Sequence, residues 1–176
     1  MSLIKLVEPE EATGKVAEIY QNMMNTMGFI PNAFKLYSPS EHALSQQVAN
    51  LNFYFRHPKL GGKLLAFIRL LVSDQEKCEY CVGMNTQILF QYGVFPDMVN
   101  EIMKDHNQVP LEENEKAMLF FVLKVVKNSN SIIQEDVEKL RQLGWTDSEI
   151  LEATYHGATQ VAADMMLNAF KLDLDK

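Results

Sequence analysis

Residues 63–93 read KLLAFIRLLVSDQEKCEYCVGMNTQILFQYG, and the way this stretch divides sets the fold class. From Lys63 to Ser73, the residues Leu64, Leu65, Ile68, Leu71 and Val72 recur at helical spacing in a stripe wide enough for a helix buried in a core. A second helix is predicted from near Cys78 to Gly93, where glycine suits a helix end. The alternation of a half-buried strand is absent here and along the rest of the chain.

Working outward, the other segments also have a helical period. A first helix is expected from about Glu10 to Met27, with Val16, Ile19, Tyr20, Met23 and Met27 on one face, and GFIPN stops it. A short helix follows over Ala33 to Tyr37. In SPSEHALSQQVANLNFYF, Ser38 or Ser40 can cap, and Ala43, Val48, Leu51 and Tyr54 can face inward. FPDMVNEIMKDH forms a short helix. PLEENEKAMLFFVLKVV opens with acidic residues that favour a helix start and carries Met118, Phe120, Phe121, Leu123 and Val126 inward. IIQEDVEKLRQLG is amphipathic and ends at Gly144. TDSE, with Thr146 as cap and Glu149 three residues on, begins a final helix whose Ala and Gly content permits close approach. The expectation is an all-α single domain over 1–176, a compact multi-helix body of about seven or eight helices.

The 176 residues carry a net charge of -7, with 47% hydrophobic and 22% charged residues. An acidic surface repels phosphate backbones and anionic headgroups, so neither nucleic acid nor a membrane is expected as a partner. MSLIKLVEPEEATGK lacks an apolar leader and no later run reaches spanning length, which makes the cytoplasm the simplest location.

The only two cysteines, Cys78 and Cys81, are three positions apart. Random placement gives this separation in roughly one chain in a hundred. A structural zinc needs four ligands, and neither a second Cys pair nor two His at ligand spacing is present, so no metal site is expected; zinc bridging subunits is the residual alternative. On the first turn of a helix the two sulfurs point the same way and are close enough to bridge. Free amides and the helix dipole there stabilise a thiolate. The plainer alternative is two small buried hydrophobes.

LLVSDQEKCEYCVGMNTQILFQYG, residues 70–93, resembles the central motif of the alkylhydroperoxidase D-like and carboxymuconolactone decarboxylase superfamily, in its Cys-x-x-Cys peroxidase-related branch. GFIPNAFKLYSPS, residues 28–40, resembles the stretch that precedes that motif. The match covers roughly residues 10 to 95 and is most specific at Ser73, Cys78, Tyr80 and Cys81. The resemblance implies a helical subunit assembling into trimers or hexamers, with no cofactor beyond its cysteines. It implies an antioxidant peroxidase in which Cys81 attacks a hydroperoxide and Cys78 resolves the sulfenic acid as a disulfide, reset by a dithiol reductant or a partner peroxidase.

Such proteins place a Glu twelve residues before the first Cys and a His four after the second as a proton relay. Here those positions are Ala66 and Asn85. Asn85 can orient a water or bond the sulfur, but it cannot accept a proton at neutral pH. His156, on a polar strip of the last helix with Glu152 and Gln160, is the candidate replacement; His57, Glu76 and Glu79 are weaker ones. A lyase of the decarboxylase kind, or a non-catalytic redox-sensing subunit, are the alternatives in function.

Overall fold

The structure, a computed structural model, describes residues 2–175. It is about 70% helical, and among the described residues it contains no strand and nine α-helices, eight of them of seven residues or more. In chain order these are α1 (Gly14–Met27), α2 (Asn32–Lys35), α3 (Glu41–Phe55), α4 (Gly62–Gln75), α5 (Glu79–Phe90), α6 (Pro96–Lys104), α7 (Glu113–Asn128), α8 (Gln134–Gln142) and α9 (Asp147–Ala169). No helix among the described residues is long and apolar enough to cross a membrane. The helices group into two compact units: one runs from Pro58 to Met165, the other comprises the residues through His57 together with those from Met166 onward.

In the second of these, α1 and α3 enclose a core of Val16, Ile19, Tyr20, Met23, Ile30 and Leu44. Helix α1 starts at Gly14 rather than Glu10, because Glu8 to Ala12 close a turn of their own, with Glu11 N–H donating to the Glu8 carbonyl at 3.0 Å. Ser40 caps α3, its hydroxyl accepting from Ala43 N–H at 3.2 Å. Ser38 is used elsewhere, accepting from Val7 N–H at 2.8 Å. Leu51, expected inward, is exposed: α3 buries only Leu44 and Tyr54, since its apolar residues are spread around the helix rather than gathered in one stripe.

The Pro58–Met165 unit is organised by α4, which buries nine residues from Leu64 to Ser73, as its sequence predicts. Helix α7 packs beside it with Met118, Leu119 and Val122 fully enclosed. Thr146 and Glu149 form the expected capping box at the start of α9: Glu149 N–H donates to Thr146 Oγ1 at 3.3 Å, and Thr146 N–H donates to Glu149 Oε2 at 2.8 Å. Gly157 lets α9 come close, because a Cβ there would lie 2.4 Å from Val122 Cγ1.

Candidate active site

The turn between α4 and α5 delivers the cysteines. Cys78 N–H donates to the Ser73 carbonyl at 2.9 Å and Lys77 N–H to the Asp74 carbonyl at 3.2 Å. These are the two crossed bonds of a Schellman ending, with Lys77 in the left-handed position at φ 55° that glycine usually takes. The motif ends α4 and sets Cys78 as the residue preceding the first turn of α5, with Cys81 on that turn. Both thiols are free and buried, at 1% and 2% exposure.

Helix α9 supplies what the sequence reading missed. Asp164, fully buried, has a carboxylate oxygen that lies with the two sulfurs in a cluster no wider than 4.8 Å. Its Oδ1 accepts from Ser73 Oγ at 3.0 Å and from Gln160 Nε2 at 2.8 Å, and Gln160 Nε2 also reaches Ser73 Oγ at 3.1 Å. Its Oδ2 is buried without a hydrogen-bond partner. Burial pushes the Asp164 pKa up, opposed by the nearby Cys81 thiol, the Gln160 amide and the Ser73 hydroxyl. The sequence signal was the continuation of the polar strip: His156, Gln160 and Asp164 recur every fourth residue on one face of an otherwise apolar and Ala-rich helix.

The two thiols are electrostatically unequal. Cys78 is lowered, chiefly because the Cys81 S–H bonds to its sulfur, against burial and the Asp164 charge. Cys81 is pushed up by the same bond, by burial and by Asp164. The inequality thus comes first from the bond between the two thiols, with burial and then the Asp164 carboxylate raising Cys81 further.

The two candidate relay residues, Asn85 and His156, meet in this unit around Arg69 of α4. Arg69 Nε donates to Asn85 Oδ1 at 2.7 Å, and Arg69 Nη1 lies 3.1 Å from His156 Nε2. Asn85 Nδ2 donates to the Cys81 carbonyl at 2.8 Å, so its amide bonds the backbone and Arg69 instead of the sulfur. His156 is held neutral: burial lowers its pKa to about 3, the Arg69 cation adds to the shift, and the Leu65 backbone opposes it. Arg69 remains charged at neutral pH, burial having lowered it only to about 10. Ala66 is fully buried in α4.

No protein-family model and no curated protein sequence matches the chain. Solved structures do. It is similar to an uncharacterized peroxidase-related protein from Silicibacter sp. TM1040, at 20% identity and TM-score 0.86 over 99% of this chain and 92% of that one. It is equally similar to the alkylhydroperoxidase AhpD core of Ralstonia eutropha JMP134, an uncharacterized peroxidase-related protein, at 22% identity and TM-score 0.87 over 99% and 93%. A debrominase in complex with 2,3,4-tribromopyrrole matches at 15% identity and TM-score 0.76 over 99% and 94%. At such identities the likeness defines the fold, which is alkylhydroperoxidase D-like.

Proposed function

We propose that the chain is a thiol-disulfide oxidoreductase that reduces hydroperoxides through Cys78 and Cys81, with Asp164 as the proton acceptor. Cys81, whose thiol is hard to ionise unaided, passes its proton to Asp164 as its sulfur attacks the peroxide. The O–O bond breaks, the alkoxide leaves and takes up a proton, and Cys81 becomes a sulfenic acid. Cys78, the lower-pKa thiol, attacks that sulfur, water departs, and a disulfide remains. An external dithiol reduces it, with Cys78 the better leaving group.

The observation that carries this reading is the buried Asp164 carboxylate, unpartnered at Oδ2, with one oxygen in a cluster with two adjacent free thiols. It supports a base at the sulfurs in a chain whose customary relay positions are Ala66 and Asn85. The decarboxylase reading gives neither the cysteines nor Asp164 a role. Exposed Phe90 and Phe95, in edge-to-face contact at 5.5 Å, support assembly of identical subunits through this apolar surface.

The test is thiol counting on reduced protein exposed to an organic hydroperoxide. Both thiols disappear together in the parent chain, Cys78→Ser accumulates a sulfenic acid on Cys81, and Cys81→Ser does not react. Survival of both thiols after prolonged exposure sinks the proposal. Repeated turnover under a dithiol reductant separates the enzyme from a stoichiometric sensor.

A further inference from the structure

The same corner has the makings of a metal site that the spacing of the sequence did not offer. Two sulfurs from the start of α5 and one carboxylate oxygen from α9 lie within 4.8 Å of one another, a separation that a small contraction turns into a shared coordination sphere. The carboxylate is prepared for the task. Ser73 and Gln160 both grip Oδ1, fixing the plane of the group, while Oδ2 is left buried and unpartnered. Carboxylates that bind metals are commonly held by hydrogen bonds in this way. Cys81 and Asp164 sit on helices, and Cys78 is fixed in the turn between α4 and α5 by its N–H bond to the Ser73 carbonyl at 2.9 Å.

We propose that the reduced Cys78–Cys81 pair and Asp164 together bind one zinc ion, with a water in the fourth position. Two thiolates select a borderline-soft ion over magnesium or calcium, and zinc undergoes no redox change that would consume the thiols. The exchange is balanced: one Zn²⁺ enters, two thiol protons leave, and with Asp164 as carboxylate and a neutral water the zinc centre carries net charge minus one. The Arg69 cation interacts favourably with the charge on Cys81. Zinc and the disulfide exclude each other, since both use the same two sulfurs. The zinc-loaded protein is therefore silent toward peroxide, and oxidation of the pair expels the ion. The inference uses the reduced pair of the redox reading but none of its peroxide chemistry.

The experiment uses the full chain, reduced and stripped by a chelator. Cobalt(II) is titrated as a spectroscopic probe and zinc is then competed against a chromophoric chelator. One ion per chain is expected, with thiolate-to-cobalt charge transfer and the visible bands of a tetrahedral centre. Asp164→Asn weakens binding at least about tenfold and Ser73→Ala about 10- to 100-fold, the range found when hydrogen bonds behind a ligand are removed. Circular dichroism checks that each variant keeps its helix content, and the parent protein's cobalt spectrum is an independent readout if either fails to fold. No saturable binding, no thiolate charge transfer, or unchanged affinity in well-folded Asp164→Asn overturns the site. A stripped protein that loses its thiols to peroxide but binds no cobalt defeats the metal site alone. One that binds cobalt while its thiols survive peroxide defeats the redox reading alone.

Discussion

Two buried polar groups lie in the Pro58–Met165 unit and meet at Cys81, and they are built on opposite terms. Around Arg69, a cation is matched by neutral acceptors: Asn85 and His156 each bond it, and Asn85 returns to the Cys81 carbonyl. Around Asp164, a carboxyl group whose pKa burial pushes up faces two thiols and leaves Oδ2 unmatched, the one buried side-chain oxygen or nitrogen among the described residues without a partner. Buried polar groups are ordinarily paired because an unpaired one costs about 1–3 kcal/mol. The closed network has every buried polar side-chain atom matched, and the open one leaves a carboxylate oxygen for the proton transfer proposed above.

The difference can be broken most sharply at Asp164. Asp164→Asn keeps the Oδ1 bonds but cannot take a proton, so peroxide-driven loss of the thiols should slow by about 100- to 10,000-fold in stopped-flow thiol assays, the usual worth of a general base. An unchanged rate would assign the orphan oxygen to structure.

His156 tests the other side. Its pKa is about 3 in the fold against 6.5 when free, so the native state binds this proton less readily than the unfolded chain. The stability it gives is complete above pH 6.5 and is lost as pH falls from there toward 3. At about 1.4 kcal/mol per pH unit the total is on the order of 5 kcal/mol. Urea unfolding at a series of pH values should reveal this acid limb in the parent and a flatter one in His156→Asn.

Arg69→Met should cost about 2–3 kcal/mol in urea unfolding, because it strands Asn85 Oδ1 and His156 Nε2. Gly157→Ala tests the helix that carries His156, Gln160 and Asp164. Its methyl group meets Val122 at 2.4 Å and Ile68 at 3.6 Å, forcing α9 outward at about 1–3 kcal/mol, measured by thermal unfolding. The smallest effect is at Lys77. Glycine suits φ 55° better, but its greater freedom in the unfolded chain offsets the gain, so Lys77→Gly should stabilise by under about 1 kcal/mol and leave thiol reactivity alone.

The sequence was most informative where one helix explains itself. The α4 stripe, the start of α5 at Cys78 and the TDSE cap each rest on residues a few positions apart, where period and capping are sufficient physics. The site was harder to see because its partners are distant in the chain. Asp164 touches Ser73 across 91 positions, and nothing local says which face of α9 turns toward α4. Arg69 is a single charge within an apolar run, and its role depends on Asn85 and His156 arriving from two other helices. The strip through His156 and Gln160 pointed the right way, and one further turn along it leads to the carboxylate.

Ser73 braces both sides of the sulfurs at once, its carbonyl holding the Cys78 main chain and its hydroxyl holding Asp164. With the backbone and the carboxylate both moored, making or breaking a bond between the sulfurs is left to torsion about the cysteine side chains. For the proposed disulfide, the cost of changing oxidation state is then torsional rather than architectural.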